Sequence, residues 1–113
     1  MQFDAPVILG NPTQSVTALG NITGAVALSL SSSLVTATVT GAVTWTITSA
    51  TDGVHGCLIK LTNGGAGAHT FPTSVKWPGG TAPTFTASGV DFVSIFSHDG
   101  VTFYASLVMK DVK

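Results

Sequence analysis

Charge is what this chain lacks most. Only four of its 113 residues are Lys or Arg and five are Asp or Glu, 8% in all, where ordinary soluble domains carry roughly 25%. Glu is missing altogether. Four cations cannot build the phosphate-neutralising patch that dominates nucleic-acid binding, so that class of partner is excluded. A net charge of -1 leaves little repulsion between copies, and Ser, Thr and Gly must supply the polar surface. Such a surface suits a protein that packs against copies of itself. Cysteine is nearly as scarce. Cys57 stands alone, which rules out an intrachain disulfide and fits assembly in a reducing cytoplasm. No apolar run approaches the roughly 18 residues of a membrane-spanning helix. The opening MQFDAPVILGNPTQ has neither a basic n-region nor a long apolar h-region, so it does not read as a signal peptide. Helical periodicity is absent too: no window places apolar residues at i, i+3, i+4 and i+7 among good helix formers.

What is present is alternation. Hydrophobic residues make up 44% of the chain, which excludes a disordered segment and supplies one domain with a real core. Val26, Leu28 and Leu30 share a face. Val35, Ala37 and Val39 alternate with Thr36, Thr38 and Thr40; after Gly41-Ala42, Val43, Trp45 and Ile47 alternate with Thr44, Thr46 and Thr48. Threonine ladders of this kind are good strand formers with a polar, uncharged outer face. Cys57, Ile59 and Leu61 form the next inward set, and Asn63 to Gly67 reads as a hairpin loop. Phe92, Ser94 and Phe96 oppose Val93 and Ile95, so both faces of that strand are apolar and it reads as central. His98-Asp99-Gly100 is a hairpin turn, with Val101, Phe103, Ala105 and Leu107 inward on the returning strand. Turn signals recur every eight to twelve residues. The pattern predicts an all-β, single-domain antiparallel β-sandwich, jelly-roll-like, with eight or nine short strands and no significant helix. Residues 14–108 form the sandwich, 1–13 an N-terminal arm or edge strand, and 109–113 a short tail.

One stretch stands apart, VKWPGGTAPT from Val75 to Thr84. Pro78 pushes Trp77 into an extended conformation. Gly79 and Gly80 admit positive φ, and Pro83 confines any strand there to an edge. The segment reads as a rigid corner presenting one large ring. The ordered set TWTIT, GCLIKLTNGGAGAHTF, SVKWPGGTAPTF, VDFVSIFSHDG and TFYASL, spanning Gly20 to Leu107, resembles a β-domain that recurs in tailed-bacteriophage virion proteins, often at the ends of tail-fibre or minor tail proteins. Those proteins are usually longer, with the domain on a shaft or anchor. The resemblance implies a structural or binding role in a virion assembled in the host bacterial cytoplasm.

The residues offer little for catalysis. His55 and Cys57 lie two apart, but a zinc site needs about four ligands, and no CxxC or HxxxH spacing exists. His98-Asp99 lacks a nucleophile elbow, and Asp91 reads as a turn cap or a partner of Lys76. No catalytic, cofactor or metal residue is assigned. Contact candidates are clearer. Val7, Ile8 and Leu9 of the arm want burial. Leu58, Phe92 and Phe96 are apolar on nominally outer faces, Tyr104 lies on the outer side of the last strand, and Trp77, Pro78, Gly79 and Gly80 form the corner. Taken with the resemblance and the low charge, these residues lead to a non-enzymatic structural protein, a homotrimer meeting tail or major capsid proteins. A tail-fibre or tail-tip position is expected first and capsid decoration second; the remaining alternative is a carbohydrate-binding module that stacks a host-surface glycan on Trp77. No membrane insertion is expected.

Overall fold

A computed structural model of the chain describes residues 15–113. The arm expected over 1–13, with Val7, Ile8 and Leu9, lies outside the described residues. The first two strands are long: β1 is Val16–Ser29 and β2 is Leu34–Thr48. In β2 every second residue from Val35 to Ile47 is buried except Gly41, while the threonines between them face outward. Sequence alone divides each of these strands in two, at Gly20-Asn21 and at Gly41-Ala42. The chain bends at both places without reversing. Gly20 and Gly24 take φ of 72° and 73°, a region open to glycine at no steric cost. In β2, Thr40 to Ala42 bulge opposite Thr23, and the Thr40 hydroxyl donates to the Ile22 carbonyl at 3.2 Å. A Cβ on Gly41 would lie 2.6 Å from Thr23 Oγ1, so a side chain there would have to push the Thr23 hydroxyl aside.

Those bends determine the topology. Only Leu30 to Ser33 separate β1 from β2, yet the two pair in parallel, with Val16 opposite Leu34 and Leu28 opposite Ile47. Parallel neighbours need a return path, and the bent strand itself supplies it: β1 curls round until its end lies near its start. The Ser33 amide donates to the Ser15 carbonyl at 3.1 Å and closes that coil. β3 (His55–Thr62) then lies parallel to the first arm of β2, Leu58 opposite Leu34. β4 (His69–Thr70) lies parallel to the second arm, His69 opposite Val43. The chain therefore makes three stacked coils, each laying its arms beside those of the coil before.

The remaining strands are β5 (Val75–Lys76), β6 (Val90–Ser97) and β7 (Phe103–Met109). β6 runs antiparallel to β3 and returns through a hairpin to β7, which pairs with β5 in parallel. The order is β1-β2-β3-β6-β7-β5 in one seven-stranded sheet, with β4 beside β2. The all-β class stands, and among the described residues the only helical pieces are two three-residue 3-10 turns. The wholly antiparallel jelly-roll pairing is corrected, because β1–β2, β2–β3, β2–β4 and β5–β7 are all parallel. Side-chain alternation has period two in either direction, so it cannot distinguish a hairpin from a coil. The Asn63 to Gly67 segment is corrected for the same reason. Asn63 adopts φ 57°, and the chain turns a corner toward β2 instead of returning along β3. β6 is central, as its two apolar faces require, between β3 and β7. Val101, expected inward, is 66% exposed in the turn.

One polar group is built into the interior. Asp91 on β6 is fully buried. It accepts hydrogen bonds from the Thr86 amide (2.6 Å), the Thr86 hydroxyl (2.8 Å) and the Asp111 amide (2.8 Å). Burial pushes its pKa up, but these donors, together with the nearby Lys110 charge, outweigh burial and hold the carboxyl below its ordinary value. Pairing with Lys76 does not occur: the Lys76 ammonium donates to the Thr73 carbonyl. Asp91 instead fastens both the loop before β6 and the C-terminal tail, where the Val112 amide also donates to the Val90 carbonyl at 2.8 Å.

Candidate functional site: an uncharged aromatic sheet face

Four of the contact residues expected from sequence converge on one surface. In β3, β6 and β7, Cys57, Ile59, Val93, Ile95, Phe103 and Ala105 point into the core. Alternation then places Leu58, Phe92, Phe96 and Tyr104 on the opposite face. Strand register brings them together in rows, with Gly56 beside Phe96 and Phe96 beside Tyr104, and Leu58 beside Ser94 and Ser94 beside Ser106. Phe96 is 45% and Tyr104 38% exposed. Their rings stack with centroids 5.4 Å apart, and His98 stacks on the far side of Tyr104 at 5.9 Å. Gly56 makes room for this: a Cβ there would lie 2.9 Å from Phe96 Cβ and from the Ile95 carbonyl oxygen. Ser94, Phe96, Tyr104, Ala105 and Ser106 line a shallow depression of about 140 Å³. Exposed Val108 and Met109 extend the apolar surface. The charged members of these rows are Lys60, opposite Phe92, and Lys76, opposite Tyr104; no carboxylate lies in them. The face is therefore apolar rings and uncharged hydroxyls with two cations at its margin.

The structure parts Trp77 from that surface. Trp77 is extended, with φ -107° and ψ 152°, as its proline neighbour requires. The Gly80 amide donates to its carbonyl at 2.9 Å, and Gly79 at φ 69° and ψ 4° completes a tight turn of the Pro-Gly type. Pro78, Gly79 and Gly80 are exposed, but the ring is half-buried and meets Phe71 edge-on at 5.0 Å. Phe71 belongs to an interior stack with Trp45 and His69 (centroids 6.0 and 5.9 Å), and Phe85 meets His69 edge-on at 4.9 Å. The corner braces this aromatic core. Trp77→Ala should lower stability by about 2 kcal/mol, as expected for a half-buried ring, and leave self-association per folded molecule unchanged. Chemical denaturation beside light scattering checks both halves.

The titratable groups have local duties. His55 Nε2 lies 3.2 Å from the Asp52 carboxylate. Cys57 is buried, and burial pushes its thiol up to about 11, the condition of an inert thiol. Asp99 accepts from the Thr102 and Val101 amides and from the Ser97 hydroxyl, which holds its carboxyl below the ordinary value and closes the β6–β7 turn. Asp91 and Asp99 sit at opposite ends of β6. His69 was not singled out by sequence, yet it joins two elements. Its Nδ1 accepts from the Trp45 indole N–H at 3.0 Å, so the proton sits on Nε2, which donates to the Gly64 carbonyl at 2.7 Å. His69, Phe71, Pro83 and Phe85 also border a second depression of about 230 Å³ beside Gly64 and Gly65. Among the described residues no group of three or more His, Cys, Asp or Glu could hold a metal ion. No protein-family model, curated protein or solved structure matches the chain.

Proposed function

We propose that this chain is a non-enzymatic structural protein of a tailed-phage virion, a β-domain of tail-fibre or tail-tip type that works as a homotrimer. The observation that supports the reading most is the outer face of β3, β6 and β7. It gathers Leu58, Phe92, Phe96 and Tyr104 on one surface with no carboxylate in its rows, and Phe96 and Tyr104 remain open to solvent. Aromatic residues at the centre of a charge-poor patch are what subunit interfaces favour. The low charge of the whole chain and the likeness of the WPGGTAP region to phage tail proteins agree with it. Electron microscopy of the intact particle tests the placement. Density for this chain at the tail is the expected result, density on the capsid lattice would make it a decoration protein, and absence from purified particles would end the virion reading. A host-surface glycan is the second reading, favoured by the Ser94 and Ser106 hydroxyls beside the Phe96 and Tyr104 rings, a combination that can stack and hydrogen-bond a neutral sugar.

A further inference from the structure

Three places in the chain join an Asp or Asn to a following glycine: Asp52-Gly53, Asn63-Gly64 and Asp99-Gly100. Such a pair has a chemistry of its own, because glycine puts no side chain in the way when its amide nitrogen swings toward the preceding side-chain carbonyl carbon. The fold restrains two of the three. At Asp99 the carboxylate accepts from the Val101 amide at 2.8 Å and the Thr102 amide at 2.9 Å, and the Gly100 amide donates to the Ser97 hydroxyl at 2.9 Å. At Asn63 the backbone is tied on both sides. Its amide donates to the Gly89 carbonyl at 2.7 Å, and its carbonyl accepts from the Ala66 amide at 2.9 Å. Gly64 is buried, with its carbonyl on His69 Nε2 at 2.7 Å.

Asp52-Gly53 has none of these restraints. The Asp52 side chain is 86% exposed, and among the described residues no hydrogen bond engages the Gly53 amide. Gly53 stands at φ 105° between β2 and β3, in a region nearly closed to residues with a side chain. His55 Nε2 lies 3.2 Å from Asp52 Oδ1, within reach of proton transfer. We propose that Asp52-Gly53 is a self-modification site, where the backbone isomerises through a cyclic imide with His55 as proton donor. The Gly53 nitrogen bonds to Cγ of Asp52 while the bond from Cγ to Oδ1 breaks. The leaving oxygen takes one proton from the His55 imidazolium and one from the Gly53 N–H, and departs as water. Water then opens the ring. Attack at Cγ restores aspartate. Attack at the backbone carbonyl carbon gives isoaspartate, whose main chain runs through the side-chain methylene and is one carbon longer. Water is the only other reactant. This inference is independent of the virion reading.

Incubation of the purified whole chain in mildly acidic heavy-oxygen water tests it, because each ring opening leaves a heavy oxygen in the product. Peptide mapping should find label and an isoaspartyl form at Asp52, accumulating at least about tenfold faster than at Asp99, whose restraints must open first. In urea, where the fold is lost, the two aspartates should react at similar rates. His55→Gln, with unchanged circular dichroism, should slow the reaction at Asp52 about fivefold, less than a buried general acid supplies because this pair is exposed. An unlabelled Asp52 would overturn the site, as would isomerisation at Asp99 or deamidation at Asn63 that keeps pace with Asp52 in the folded chain. An Asp99 that stays slower in urea would show that the local sequence, and not the fold, selects Asp52. A His55→Gln rate equal to the wild type would overturn the role of the imidazole.

Discussion

Trp45→Ala is expected to cost about 4 kcal/mol, close to the whole stability of many small domains. Trp45 occupies an inward position in the second arm of β2 and is 3% exposed. Its ring lies parallel to Phe71 within 2° and to His69 within 12°, so truncation opens a large cavity between coils. It also removes the donor to His69 Nδ1 and leaves that ring nitrogen unsatisfied where water is scarce. Trp45→Phe separates the two effects. It keeps most of the apolar volume and loses the indole N–H with the smaller part of the ring, for which about 1–2 kcal/mol is expected. Urea denaturation followed by circular dichroism measures both. Equal losses in the two variants would show that the hydrogen bond, and not the packing, carries the stability.

Asp91→Ala should cost about 3 kcal/mol. The loss reflects a charge-assisted cluster and buried donors left without a partner. The Thr86 and Asp111 amides both point at this carboxylate, so the loop before β6 and the C-terminal tail should loosen together. A pH signature follows. The folded carboxyl is held below its ordinary value of 3.8. Its contribution is therefore fully present above that value and lost as pH falls through the lower folded one. Stability measured from pH 7 down to pH 2 should show a clearly smaller acid limb in Asp91→Asn than in the wild type, the remainder coming from Asp99, whose carboxyl is also held below its ordinary value. An identical acid limb in Asp91→Asn would mean that other carboxylates govern acid unfolding.

The sequence discloses which residues face inward better than it discloses how the strands connect. Val35 to Ile47, Cys57 to Leu61 and the split faces of β6 all fall where alternation puts them, because burial follows a period of two. Strand direction does not follow from that period. Gly20 and Gly41 look like turn glycines whether the chain reverses or bends, and the difference lies in bonds between neighbouring coils, the Thr40 hydroxyl donating to the Ile22 carbonyl and the Thr23 hydroxyl to the Ala42 carbonyl. The outer face was partly legible. Leu58, Phe92 and Phe96 stand out as apolar residues in outward positions, but their company with Tyr104 and His98 needed the β6–β7 register. Trp77 shows the opposite limit. Proline and glycine around it suggest a projecting ring, and the ring turns inward because Phe71, six residues earlier in the chain, lies beneath it. His69 gave no local signal, since its partners Trp45 and Gly64 come from other segments.

The central claim is that the Phe96–Tyr104 face joins copies of this chain, and light scattering of the purified protein at micromolar concentration tests it most directly. The wild type should be a trimer. Phe96→Lys with Tyr104→Lys should be a monomer with unchanged circular dichroism, since both side chains are exposed and two added cations in each copy would oppose contact. A wild-type protein that stays monomeric, or a double variant that remains as oligomeric as the wild type, would contradict the account.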